Sequence, residues 1–232
     1  MLIDFSIKNV PTYQNTAYLH KISLNIISGN SGSRTGLGRQ ESSIMTKIAV
    51  VYHSGYGHTA KQAEAVVAGA RGVVGAHVDL VNVDEVDTKW DVLEKADGIV
   101  MGAPTYMGSV PAPFKEFMDK SSKVWAEQGW KGKLAAGFTN SSSRSGDKDG
   151  TLRQIATLAA QHGMLWMPLG LMPGNNSSTG SEEDLNRLGA SLGAMAQSNA
   201  DEGPETGPSA SDLRTAEHLG KNIAELAKKM AA

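Results

Sequence analysis

The chain has 232 residues, of which 40% are hydrophobic, with a formal net charge of −2 and no cysteine. The absence of cysteine excludes disulfides, iron–sulfur clusters, thiolate zinc sites and cysteine nucleophiles, and the small net charge gives no reason to expect nucleic acid or an anionic membrane surface as a partner. No apolar run approaches the roughly 20 residues that span a bilayer, so we expect a cytoplasmic protein with no membrane span.

Residues 1–44 differ in composition from the rest of the chain. Residues 21–27 alternate and are β-branched, and a stretch rich in serine and glycine follows at 28–36. Such a stretch is typical of a flexible linker. We expect residues 1–44 to be a mostly flexible N-terminal extension and residues 45–232 to be the folded domain. An arm that contributes to assembly is the alternative.

From Met45 onward, apolar runs and helical patterns alternate. The sequence predicts strands at 47–53, 76–83, 98–102, 134–139 and 164–171, and helices at 59–73, 89–96, 112–124, 150–162 and 211–230. The stretch between the fifth strand and Ala210 is predicted to be irregular. Strands that are apolar throughout and separated by helices are typical of a parallel sheet covered on both faces. Right-handed crossovers then predict an α/β fold with a doubly wound, five-stranded parallel sheet.

Three polar loops rich in small residues follow strands one, three and four. We call them the phosphate loop (residues 54–59), the second loop (103–111) and the third loop (139–146). In a doubly wound sheet, ligands bind beyond the carboxyl ends of the strands. The three loops are therefore expected to converge on one bound ligand.

The phosphate loop lies between a strand and a helix, where free N–H groups and the helix dipole favour an anion. Two ligands are compatible with it. A Gly-x-Gly-x-x-Ala pattern starting at Gly55, with Asp84 after the second strand, is a relaxed form of a dinucleotide site. Hydroxyls at Ser54 and Thr59 favour a terminal monophosphate instead. The loop has no lysine, so it is not a P-loop, and fixed dipoles would hold the anion.

The other two loops suit a flat ring. Pro104 and Pro111 stiffen the second loop, and Tyr106 between them could line the rim of such a ring. An ordinary exposed turn residue is the alternative for Tyr106. In the third loop, backbone N–H groups and Asn140 could bind the polar edge of a pyrimidine-like ring. The alternative for this loop is a mobile, solvated segment.

Three runs carry a resemblance to a known family: Ser54–Thr59, Gly102–Gly108 and Gln161–Met164. Together they resemble the flavodoxin-like WrbA-type NAD(P)H:quinone oxidoreductases, over roughly Met45 to the C-terminus. The resemblance implies a flavodoxin-like form of the predicted sheet and FMN and NAD(P)H as cofactors. It also implies a small-molecule quinone as acceptor, two-electron hydride transfer with ping-pong kinetics, and a homodimer or homotetramer.

The resemblance also implies roles for individual residues. The phosphate loop would hold the FMN phosphate, and Tyr56 would contact the nicotinamide nucleotide. Two catalytic residues are implied: Trp125 would border the substrate pocket, and His162 would approach the flavin site, with a neighbouring subunit as one possible source. The implied cofactor-binding residues are Ser54, Gly55, Tyr56, Gly57, His58, Thr59, Pro104, Thr105, Tyr106, Met107, Gly108, Asn140, Ser141, Ser142, Ser143, Arg144 and Ser145.

The chain departs from the family pattern in three places. Tyr106-Met107 stands where the family commonly has arginine-phenylalanine, the third loop has serines and Arg144 where the family is glycine-rich, and the segment between strands two and three is short. Three alternative functions remain open: a flavodoxin-type electron carrier without NAD(P)H activity of its own, a Rossmann dehydrogenase, and a flavin-free phosphate-binding protein. A net charge of −2 argues against the carrier, which usually has a strongly acidic docking face.

Overall fold

The computed structural model describes residues 45–231, so the predicted extension at residues 1–44 lies outside the described residues. The strands are β1 Thr46–Tyr52, β2 Ala76–Asn82, β3 Gly98–Pro104, β4 Leu134–Ser141, β5 Leu165–Trp166 and β6 Ala194–Gln197. The helices are α1 His58–Arg71, α2 Trp90–Lys95, α3 Ala112–Lys120, α4 Ser122–Ala126, α5 Lys148–Gln161 and α6 Ala210–Ala231, with a 3-10 turn at Val83–Thr88.

All the strand pairs are parallel, and the order is β2-β1-β3-β4-β5, with β6 also paired to β4. One apolar layer joins the sheet to α1 and α6, and a second joins its other face to the remaining helices. Burial on both faces explains why β1 and β3 are apolar throughout. The predicted α/β, doubly wound parallel sheet is confirmed, and its strand order reverses between β1 and β3.

The fifth position of the sheet differs from the prediction. The apolar run at 164–171 forms only the two-residue strand β5, because Pro168 and Gly170 follow within it. The chain leaves the sheet and returns as β6, which pairs with the second half of β4 from Phe138 to Ser141. The stretch predicted to be irregular therefore contains a strand, and the loop after β6 ends at the same edge as the three predicted loops.

Helix α1 is held close to α6 by two glycines. A β-carbon at Gly69 would overlap the carbonyl oxygen of Glu217, and one at Gly220 would overlap that of Val66. Backbones can approach this closely only where side chains are absent. The contact fixes the direction of α1, and hence the place at which its N-terminus meets the carboxyl edge of the sheet.

Within residues 45–231, no helix combines the length and the apolar character needed to cross a membrane.

Candidate functional site

A cavity of about 530 Å³ lies at the carboxyl edge of the sheet, beside the point where the strand order reverses. Its size is within the range of small-molecule and cofactor sites, roughly 300–1,000 Å³. Residues from four loops line it: Ser54, Tyr56, His58, Thr59, Pro104, Thr105, Tyr106, Asn140, Ser141, Ser142, Ser198, Asn199, Ala200, Glu202 and Gly203. The three predicted loops therefore do converge, together with a fourth that the sequence did not indicate.

The phosphate loop turns sharply into α1 at Gly57, whose φ of 91° is in the left-handed region that favours glycine. The Ser54 hydroxyl accepts hydrogen bonds from the backbone N–H groups of Gly57 and Ala60, each at 3.1 Å. Within residues 45–231, the N–H groups of His58 and Thr59 have no hydrogen-bond acceptor. The start of α1 thus offers hydroxyls and free N–H groups, which together suit an anion.

The second loop forms a tight hairpin turn that presents Tyr106. Tyr106 and Ser109 exchange backbone hydrogen bonds at 3.0 and 3.1 Å, and the two residues between them, Met107 and Gly108, have φ of 50° and 77°. Positive φ at both central positions is typical of the tightest hairpin turns. Met107 projects fully into solvent at the tip. Met107 and Gly108 therefore shape the turn and do not line the cavity.

Two tyrosines form an aromatic corner at the mouth of the cavity. The rings of Tyr56 and Tyr106 meet edge to face, with centroids 6.2 Å apart. Tyr56 is 77% exposed and Tyr106 is 37% exposed. A β-carbon at Gly55 would lie 2.5 Å from the Tyr106 hydroxyl, so a larger residue there would displace the Tyr106 ring. Burial raises the pKa of the Tyr106 phenol above its ordinary value, which keeps the hydroxyl protonated at neutral pH.

A chain of buried threonine hydroxyls joins the second loop to its neighbours. The Thr105 hydroxyl lies 2.9 Å from that of Thr139 on β4 and donates at 2.8 Å to that of Thr151 on α5. A β-carbon at Gly150 would lie 2.5 Å from the carbonyl oxygen of Gly108, so α5 also packs directly on the hairpin. The wall of the cavity on this side is therefore preorganised by α5.

The third loop divides two spaces. Asn140, Ser141 and Ser142 line the 530 Å³ cavity, and the Asn140 side-chain oxygen accepts from the Ser198 hydroxyl at 3.2 Å. Ser143 does not line that cavity, and neither do Arg144 or Ser145, which border a wider space of about 960 Å³ on the outer side. Arg144 forms an exposed ion pair with Glu182 at 2.7 Å. Only the first part of the predicted ring-edge segment faces the cavity.

Residues 198–203, after β6, form the fourth wall. The His58 ring donates from Nε2 to the Glu202 carbonyl at 2.9 Å, and the Gln197 amide donates to the Ser142 carbonyl at 2.8 Å. A β-carbon at Gly57 would lie 2.8 Å from the Pro204 ring. The His58 side chain thus ties the fourth wall to the phosphate loop.

Trp125 and His162, the two predicted catalytic residues, do not line the cavity. His162 is 2% exposed, packs on Trp130 with ring centroids 4.4 Å apart and shares a 2.9 Å hydrogen bond with Ser121. Burial lowers its pKa, which favours the neutral ring. The His162 side chain is therefore enclosed and does not reach the cavity of its own chain, and its predicted catalytic role stays a prediction. Trp125 lies half-exposed on α4.

The structure does not place Asp84, the carboxylate that a dinucleotide site would need, at the cavity. Asp84 is exposed in the 3-10 turn and does not border the cavity. Within residues 45–231, no lysine or arginine lines the cavity, and no group of three His, Asp or Glu side chains could hold a metal ion. An anion bound here would be held by N–H groups, hydroxyls and the dipole of α1.

Comparison with known proteins identifies the family. Residues 79–177 match the model of the NADPH-dependent FMN reductase family. The chain is 43% identical over 192 residues to Flavodoxin FldP of Pseudomonas aeruginosa, across 81% of this chain and 100% of that protein. It is 34% identical over 208 residues to an NAD(P)H dehydrogenase (quinone) of Chromohalobacter salexigens, across 81% of this chain and 100% of that protein.

A solved structure gives the same result. The crystal structure of the flavodoxin, WrbA-like protein from Agrobacterium tumefaciens aligns with a TM-score of 0.63 at 38% identity, covering 79% of this chain and 98% of that chain. The fold, the loops at its carboxyl edge and the relatives agree with the resemblance found in the sequence. The chain therefore belongs to the flavodoxin-like, WrbA-type family of FMN-dependent NAD(P)H reductases.

Proposed function

We propose that the protein is an FMN-dependent NAD(P)H oxidoreductase that reduces quinones. One observation carries the proposal: a single cofactor-sized cavity joins an anion-binding helix start to an aromatic, solvent-open mouth. The relatives named NAD(P)H dehydrogenase (quinone) support the choice of substrates. The match to the NADPH-dependent FMN reductase model supports the choice of cofactor.

The FMN phosphate would bind at the start of α1. The free N–H groups of His58 and Thr59 and the hydroxyls of Ser54 and Thr59 supply donors there. Because the cavity has no lysine or arginine among its described lining residues, the charge of the phosphate would be balanced by aligned dipoles rather than by a cation. This arrangement distinguishes the site from P-loop nucleotide sites.

The isoalloxazine ring would lie between the second and third loops. One wall consists of Pro104, Thr105 and Tyr106. The polar wall opposite consists of Asn140, Ser141 and Ser142. The threonine chain to Thr151 fixes the first wall from behind. The cavity thus offers a rigid aromatic side and a hydrogen-bonding side, as a flat ring with one polar edge requires.

Bound FMN would supply the redox chemistry, accepting hydride from NAD(P)H and passing two electrons to the quinone. The residues of the chain position the two substrates. Tyr56, largely exposed at the mouth, provides an apolar surface against which a nicotinamide or a quinone ring can stack in turn. A single mouth used alternately by both substrates leads to ping-pong kinetics. This mechanism requires no catalytic acid–base pair from the protein.

Steady-state oxidation of NADH and NADPH by FMN-loaded protein, with a small quinone and no added protein, tests the proposal. We expect turnover with parallel lines in double-reciprocal plots at several quinone concentrations. A protein that binds FMN but oxidises neither nucleotide would contradict it.

A second function, that of a flavodoxin-type electron carrier, is favoured by the 43% identity to Flavodoxin FldP. The carrier would pass electrons from a separate reductase to a separate acceptor. In the same assay it shows no quinone-dependent NAD(P)H oxidation until a reductase is added. Omitting the reductase from this assay therefore distinguishes the two functions.

A further inference from the structure

Lys148, the first residue of α5, is a buried lysine placed directly behind the third loop. It is 1% exposed. Its ammonium donates three hydrogen bonds, to the Ser141 hydroxyl at 2.8 Å, the Ser143 carbonyl at 2.7 Å and the Arg144 carbonyl at 2.8 Å. An ammonium has three donors, so all of them are used. Ser141 also lines the cavity, so the charge lies one hydrogen bond behind the cavity wall.

The third loop is closed tightly around this ammonium. Gly146 and Asp147 both have left-handed backbone angles, with φ of 55° and 52°. A β-carbon at Gly146 would overlap the Ser141 hydroxyl. The segment from Ser141 to Asp147 therefore forms a narrow turn. The Lys148 ammonium binds two of its carbonyls, those of Ser143 and Arg144, and the Ser143 carbonyl also accepts from the Ser141 hydroxyl.

The position is unfavourable for a lysine if stability alone is considered. A cation at a helix N-terminus opposes the helix dipole, and burial of an ammonium costs solvation energy. Burial lowers the pKa of Lys148 to about 8, with the charge of Arg187 acting in the same direction and that of Asp212 in the opposite one. Residues that break local rules in this way are concentrated at functional sites.

We propose that Lys148 is a positioning residue, which holds the third loop in the conformation that receives the FMN ring and places a positive charge behind that wall. The proposal rests on the proposed function for the presence of FMN. It assigns the charge that the cavity lining itself lacks, and it explains how a loop of serines keeps a defined shape.

The charge on Lys148 should make cofactor binding depend on pH. Two charged groups on neighbouring elements act on the ammonium, Asp212 on α6 and Arg187 between β5 and β6. The charged residues next to it in the chain are Arg144, Asp147 and Asp149, of which Arg144 pairs with Glu182 and Asp149 with Arg153. Carboxylates and arginines do not titrate between about pH 7 and about pH 9, and a phosphate has completed its second ionisation by then. Within this window, a neutral amine keeps only two donors for three acceptors, and the loop loosens.

The test measures FMN affinity by fluorescence titration, and the midpoint potential of bound FMN, across that pH window. The proteins compared are the wild type, Lys148→Met, Lys148→Arg and the control Lys133→Met. Lys133 is a matched control because its amine also donates to two backbone carbonyls, those of Glu94 and Ala96, and burial also lowers its pKa. It lies immediately before β4, at the opposite edge of the sheet.

We expect the wild-type Kd for FMN to rise as pH increases through about 8. Lys148→Met should raise the Kd by about tenfold at pH 7, flatten its pH dependence and lower the midpoint potential. Lys148→Arg should retain most of the affinity but lose the pH dependence, because arginine stays charged. Lys133→Met should match the wild type in all three measurements.

Hydrogen exchange of residues 141–147 without FMN separates this proposal from the proposed function, because it needs no cofactor. Faster exchange in this segment in Lys148→Met, but not in Lys133→Met, supports the positioning role. Unchanged exchange, or FMN binding by Lys148→Met with wild-type affinity and pH profile, would overturn it. The wild-type pH profile also provides a test that does not depend on the variant folding. A failure of the wild type to bind FMN would instead contradict the proposed function.

Discussion

The substitution Thr59→Glu tests the proposed phosphate site most sharply. Thr59 lies in the first turn of α1, is 2% exposed and borders the cavity. A glutamate there would extend its carboxylate into the space where the phosphate is expected. Two unit charges about 4 Å apart interact by about 4 kcal/mol at an effective dielectric of about 20, and a phosphate dianion roughly doubles this repulsion. The Kd for FMN should therefore rise by more than about a thousandfold.

The same substitution should leave the fold intact. An acidic side chain in the first turn of a helix complements the helix dipole, and the longer glutamate would place its carboxylate in the open cavity that Thr59 borders. Thr157→Glu, on the exposed side of α5, is the matched control, since it adds the same charge far from the first turn of α1. We expect Thr157→Glu to bind FMN as the wild type does.

Fluorescence titration with FMN, together with urea unfolding of each apoprotein, separates the two effects. The expected result is a Thr59→Glu protein that is as stable as the wild type and does not retain FMN. If it bound FMN with unchanged affinity, the start of α1 would not be the phosphate site, and the proposed orientation of the cofactor would be wrong.

Three other predictions follow from buried polar groups. Asp212→Asn should lower the free energy of unfolding by about 3 kcal/mol, because Arg187, paired to Asp212 at 2.6 Å with both side chains at most 5% exposed, would keep only the half-exposed Glu182 as a charged partner. An unchanged urea midpoint would contradict this. The pKa of Lys148 is about 8 in the folded state, below its value in the unfolded chain, so the unfolded state binds more protons above pH 8. The free energy of unfolding of the wild type, relative to that of Lys148→Met, should therefore rise by up to about 3 kcal/mol towards pH 10.5. Denaturation of both proteins over that range measures the difference, and a constant difference would refute the assignment. His162→Gln should lower the free energy of unfolding by about 1–3 kcal/mol, because Ser121 loses a buried hydrogen-bond partner, and it should leave the FMN affinity unchanged. A loss of FMN affinity with unchanged stability would show that His162 acts at the cofactor site.

The parts of the fold that depend on local pattern could be predicted from the sequence. The apolar runs of β1 and β3 and the helical spacing of α1 predict their elements within one or two residues. The order of strand, polar loop and helix also places the phosphate loop at the correct edge. These features are encoded by residues that are close together in the chain, so periodicity and turn composition are sufficient to find them.

The fourth wall could not be predicted in the same way. β6 consists of Ala194–Gln197, which has no β-branched residue, and it is a strand because it pairs with the second half of β4. Strand propensity depends strongly on such neighbours. The small apolar residues of β6 followed by a polar stretch were the only local signal, so the loop at 198–203 and its contact with His58 were missed.

The direction of individual side chains also depends on distant partners. Arg144 faces away from the cavity because its partner Glu182 lies on the outer side of the third loop. His162 is enclosed because Trp130 and Ser121 pack against it in the second apolar layer. None of these partners adjoins the residue in the sequence. The burial of Lys148 could not be predicted for the same reason, since a lysine side chain is normally exposed.

The central claim is that this cavity holds FMN, and the most direct measurement is the visible spectrum of the purified protein with identification of the cofactor released on denaturation. The expected result is a yellow protein that releases FMN at up to one molecule per chain, or an apoprotein that takes up added FMN to that ratio. A colourless protein that binds no added FMN would contradict the claim.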